Sequence, residues 1–173
     1  MNEQEDIKIM QTQVLDSILL AKYIINKLSD KGLSISHLKL QKLIYFINAW
    51  HLAYFDRPLI EDDFQAWVHG PVSTKVWGHF KHEAVLNAKL TRREYTDCFE
   101  CGMTADQKDL IDDVIDEYSG DSAYRLEQIT HAEPMWIGAR GGLPYYEHCD
   151  KKMDMEAIKK HYRSLMDQRK GGE

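Results

Sequence analysis

Three cysteines are too few, and an odd number, to build a disulfide framework, so they read as reduced thiols. Four prolines beside 43% hydrophobic and 29% charged residues exclude the composition of a disordered tail. Long apolar runs are also missing. Ile18 to Ile25 is interrupted by Lys22 and Tyr23 and falls far short of the roughly 20 residues a bilayer demands. Met1 to Asp6 carries acids and amides where a secretory leader would place positive charge. These absences predict a cytoplasmic protein with no membrane span. There is no excess of positive charge either: a formal charge of -6 and a pI near 5.7 disfavour nucleic acid as a partner. No P-loop, no G-x-G-x-x-G after a strand and no nucleophile elbow is present, so neither an enzyme activity nor a cofactor is expected.

What is present is helical periodicity. A chain of 173 residues suits one domain with one core. Val14, Ile18, Ala21, Ile25 and Leu28 recur at helical spacing up to Lys31-Gly32. Ser34 or Ser36 caps a second helix, with Leu40, Leu43, Ile44, Ile47, Trp50 and Tyr54 on one broad face before Pro58. As the longest apolar stripe, it predicts the central helix. Leu59-Ile60 and the alternating Phe64 to Val68 predict a small hairpin that Gly70-Pro71 breaks. Val72, Val76 and Phe80 then start a third helix, and Glu83 to Gly102 reads as a variable excursion. Thr104 to Gln107 has capping-box spacing ahead of Leu110, Ile111, Val114, Ile115 and Tyr118. Shorter helices follow from Asp121 or Ser122 and from Pro134, the latter stopped by Gly141-Gly142. A last helix from about Asp154 carries Met155, Ile158, Tyr162 and Leu165. The fold expected is mainly α: a compact single-domain bundle of about six helices with a small β-hairpin.

The sharpest candidate for metal chemistry is His79-x-x-His82 followed by Cys98-x-x-Cys101, two ligand pairs that could close a tetrahedral zinc site. Against it, residues three apart share a helix face in any case, and such histidines are commonly polar surface, so no metal is assigned. Asp62-Asp63 and Asp112-Asp113 read as solvated acids. Trp50, Trp67, Trp77 and Trp136 are interface-type anchors, yet Trp50 lies on the central stripe, and Trp67 and Trp77 flank Gly70-Pro71, where they pin the hairpin on the third helix.

The stretch from Leu38 to Phe55, then Arg57-Pro58-Leu59, then Gln65 to Val72, resembles the SocA-like Panacea antitoxin domain, the phage-associated GepA-like family. Tyr118 to Glu127 and His131 to Trp136 look like its second half. The resemblance implies an N-terminal extension over 1–12, the antitoxin domain over 13–168 and a frayed tail over 169–173. It also implies a non-enzymatic antitoxin that neutralises a cognate toxin, encoded by an adjacent gene, through direct protein contact. The motif positions Lys39, Gln41, Lys42, Tyr45, Trp50, Trp67, Gly70 and Pro71, with Trp136, are candidates for partner surface, although their residue types read as scaffold. Two rival roles use other partners: an adaptor delivering the toxin to a cellular protease, and a DNA-binding regulator of its own operon, which the low pI opposes.

Overall fold

The computed structural model describes residues 13–83, 89–90 and 102–172, and within them the chain is mainly helical. Helix α1, Ser17–Asp30, starts where the Asp16 carboxylate accepts the amides of Ile18 and Leu19 at 2.8 and 3.2 Å. It closes where Gly32, at φ +70°, lets the amides of Gly32 and Leu33 return to the carbonyls of Ser29 and Leu28, both at 2.9 Å. Val14, expected on its stripe, lies ahead of the Asp16 cap and is exposed, because the cap sets the start of the helix later.

The central helix is as expected. Strand β1, Ile35–Ser36, leads into α2, His37–Phe55, capped by Ser36 and stopped by Asp56 at φ 60°. All of α2 except Lys39 and Tyr54 is buried. Tyr54, expected on the buried stripe, points outward instead: a helix walled on nearly every side has no single apolar face to define.

The walls are α1, α3 (Thr74–Phe80), α4 (Ala105–Tyr118), α5 (Ala123–His131) and α7 (Met155–Gly171), with α6 (Pro134–Arg140) on α5. Seven helices thus stand among the described residues where about six were expected. The capping box on α4 forms: Gln107 N–H donates to Thr104 Oγ1 at 3.2 Å and Thr104 N–H to Gln107 Oε1 at 3.1 Å. Helix α7 continues to Gly171, and Arg169 in the tail region bonds Glu117 at 2.6 Å and lies 4.6 Å over the Trp50 ring. In the excursion, Lys89–Leu90 forms β4 and pairs antiparallel with β1.

The hairpin differs in its strands. Leu59 and Ile60 form no strand, because Asn48 Oδ1 on α2 accepts both amides and their side chains are wholly buried. Strand β2, Phe64–Trp67, pairs instead with β3, Gly70–Ser73, so Gly70-Pro71 opens a strand and ends none. Gly70, at φ +95°, supplies the reversal after Val68-His69.

The outward-facing main chain of this hairpin finds partners along both strands. On β2, Ala66 N–H donates to Lys151 O at 2.9 Å and Phe64 O accepts from Met153 N–H at 2.8 Å. On β3, the Gln41 side chain serves Ser73 in both directions, accepting its N–H at 2.9 Å and donating to its carbonyl at 3.4 Å. Pro71 has no N–H to leave unpaired, and its carbonyl accepts from Lys42 Nζ at 3.0 Å.

Candidate functional site

Of the motif positions, Gln41, Lys42, Tyr45, Trp50, Gly70, Pro71 and Trp136 are buried, while Lys39 and Trp67 are half-buried. The structure brings them together around the hairpin and α2. Lys39 Nζ donates to Ser119 O at 2.5 Å, placing a cation at the carbonyl end of α4. Trp50 donates to Tyr118 Oη at 3.2 Å and meets Tyr162 edge-on at 5.0 Å. Trp67 and Trp77 meet edge to face at 5.5 Å, pinning the hairpin on α3. Trp136 donates from Nε1 to Trp67 O at 3.0 Å and stacks on His131 at 4.1 Å.

A buried polar cluster lies at the centre of this arrangement. Glu133, at the start of α6, accepts hydroxyls from Tyr162 at 2.6 Å and from Tyr45, joining α7 and α2. Lys42 and Glu127 face the same region, where Gly70 comes so close that an added Cβ would sit 2.8 Å from Lys42 Cε and 2.6 Å from Thr130 Oγ1. Burial drives these groups toward neutrality. Desolvation lowers Lys42 to about 7, opposed by the charges of Glu127 and Glu133. Desolvation raises Glu133 to about 7 despite both tyrosine donors and Lys42, and it holds both tyrosine hydroxyls well above their usual range.

A pH dependence follows from the signs. Glu133 is raised from 4.5, so its stabilising contribution is complete below about 4.5 and lost as pH rises through about 7. Lys42 is lowered from 10.5, so its contribution is complete above about 10.5 and lost as pH falls through about 7. Both are smallest near neutrality. Relative to Glu133→Gln, the wild type should therefore gain urea resistance on going from pH 7 to pH 5. An unchanged difference between the two proteins across that range would show that Glu133 does not titrate there.

His51 is also held neutral. Desolvation lowers His51 to about 4, while Nδ1 faces Arg57 O at 2.7 Å and must carry the proton. Its Nε2 then accepts from Gln107 Nε2 at 3.1 Å, the same glutamine that closes the α4 capping box.

The zinc candidates do not come together as four. His79 is exposed on α3 with its ring 4.7 Å from Phe80, and His82 is exposed just beyond it, while Cys98 and Cys101 lie outside the described residues. Among the described residues no three His, Cys, Asp or Glu side chains are grouped to hold a metal. The paired acids are partly engaged: Asp62 accepts from Ser73 Oγ, Asp63 pairs with Lys152, and Asp112 pairs with Lys27 and Lys108. Asp113 is exposed. No helix of the described residues is long and apolar enough to cross a membrane.

Sequence reasoning did not single out Glu133 or Arg140 as site residues, and it took Tyr162 only for a member of an apolar stripe. It also passed over the exposed Tyr145 and Tyr146. No local pattern marks Glu133, whose tyrosine partners lie 88 and 29 residues away.

Comparison with known proteins gives two matches. The family described as "Antitoxin SocA-like, Panacea domain" matches residues 40–137, more than half of the chain and most of the cluster above. The protein "Antitoxin SocA" of Caulobacter vibrioides (strain NA1000 / CB15N) is 37% identical over 68 residues, covering 39% of this chain and 36% of that protein. The chain thus aligns with about a third of that relative's length. No solved structure matches.

Proposed function

Because the chain belongs to the SocA-like Panacea antitoxin family, we propose that it neutralises a toxin by binding it directly, with no catalysis of its own, and that an adjacent gene encodes that toxin. The observation that carries this reading is the family match over residues 40–137, which takes in α2, the hairpin and the Glu133 cluster. In this reading the cluster fixes the scaffold, and the outer surface makes the contact. The acidic chain suits a basic toxin, whose capture would be faster at low salt.

The experiment is co-expression. Inducing the neighbouring small gene alone should arrest growth, and inducing it with this chain should restore growth and yield a complex that co-purifies. Restored growth only when a cellular protease is intact would assign the chain to toxin delivery. A harmless neighbour that does not co-purify would overturn the reading.

A further inference from the structure

Exposed large apolar side chains concentrate in one short segment. Ile137 (53%), Leu143 (37%), Tyr145 (74%) and Tyr146 (68%) fall at the end of α6 and in the loop after it, where a protein surface ordinarily carries polar groups. The segment runs on from residue 137, where the family match stops.

The loop is built as a rigid display. Gly141 and Gly142, at φ 59° and 83°, reverse the chain after α6. The buried Arg140 guanidinium then donates to the carbonyls of Pro144 at 2.8 Å, Tyr145 at 3.3 Å and Glu147 at 2.6 Å, and to Ala66 of β2 at 2.9 Å. Glu147 N–H returns to Pro144 O at 3.0 Å. The main-chain carbonyls are held inward while the two tyrosine rings, edge to face at 5.5 Å, stay exposed. Ordering this loop is completed on folding, so a partner meets it without that entropic cost. Tyrosine supplies large contact area with few rotatable bonds and is enriched where binding energy concentrates.

Charge identifies the occupant. Between Gly141 and Lys151 two carboxylates, Glu147 and Asp150, are exposed and in no ion pair with another described residue, against one lysine, Lys151, and one histidine, His148. A cation above a tyrosine ring and beside a carboxylate satisfies both features at once. We propose that this ledge is the docking surface for a cationic segment of the toxin. Arginine or lysine stems would lie on Tyr145 and Tyr146, and their charges would meet Glu147 and Asp150. The proposal rests on the antitoxin reading above.

The test uses the full chain and the toxin recovered by co-expression, with affinity measured by biolayer interferometry at several salt concentrations. Tyr145→Ala/Tyr146→Ala should weaken binding about 100-fold. Glu147→Gln/Asp150→Asn should slow association about five- to tenfold at low salt and flatten its salt dependence. Tyr124→Ala, equally exposed on α5, should stay within about twofold, the value expected for a contact outside the interface. Matching thermal melts establish that each variant folds. A tyrosine pair variant that binds like wild type would overturn the ledge while growth rescue still stood. An acid pair variant with unchanged salt dependence would overturn the cationic occupant. A wild-type chain that binds no toxin would remove the antitoxin reading, and with it this proposal.

Discussion

Arg140→Met should lower the free energy of unfolding by about 3–5 kcal/mol, because hydrogen bonds from a charged donor contribute about 1.5–3 kcal/mol each and a buried carbonyl left unpaired costs about 1–3 kcal/mol. Arg140 is 2% exposed, stacks on Trp136 at 4.9 Å and holds four carbonyls from two separate segments. Methionine preserves much of the volume but donates nothing. Ala66 O, buried in the hairpin, then has no replacement for its donor, and the 141–150 loop loses the group that gathers its carbonyls. Arg140→Lys should recover part of the loss, since an ammonium cannot fork as a guanidinium does. Urea unfolding measures the first effect, and proteolysis of the native state within 141–150 the second. A loss below about 1 kcal/mol would mean that water replaces the arginine and that the loop orders itself.

Gly70→Ala should cost about 2–4 kcal/mol, combining left-handed strain with overpacking. At φ +95° a side chain is strained before any contact is counted. The new Cβ would also fall 2.6 Å from Thr130 Oγ1 and 2.9 Å from Lys42 Nζ. Lys42 cannot simply retreat, because it is wholly buried and its ammonium bonds Pro71 O at 3.0 Å. Adding Thr130→Ala should recover about 1 kcal/mol by removing the nearer clash, leaving the backbone strain and the lysine contact. Chemical denaturation of the single and double variants separates these contributions. A single variant as stable as wild type would show that the hairpin shifts freely against α2.

The helices were legible where a local signal sufficed. The Thr104–Gln107 capping box, the serine cap of α2 and the Pro134 and Gly141 limits of α6 are short-range chemistry that a sequence displays. The hairpin was legible only in part. Gly70-Pro71 looks like punctuation, yet the outward-facing polar groups of β3 lean on Gln41 and Lys42, which no local rule connects to it. Those two residues were the least readable as well. Polar side chains on a helix suggest a solvated face, and here they are buried because the hairpin requires their donors and acceptors. Glu133, Tyr45 and Tyr162 share this difficulty: a tyrosine in an apolar stripe contributes the same periodicity with or without a partner for its hydroxyl. The exposed tyrosines leave no periodic trace either, since exposure depends on the loop path that Arg140 sets.

The hydrogen bonds along both edges of the hairpin restrict how anything can bind to it. A two-stranded sheet ordinarily has two edges open to an incoming strand. Here one is occupied by the main chain of Lys151–Met153 and the other by a glutamine amide acting as a single residue of a third strand. A further strand would have to displace Gln41 and Lys42 from β3, or the Lys151–Met153 main chain from β2, before forming its first bond. β-augmentation, a common mode of peptide capture, is therefore opposed at this hairpin. So is edge-to-edge aggregation of its copies through the hairpin, and recognition at this place must read side chains.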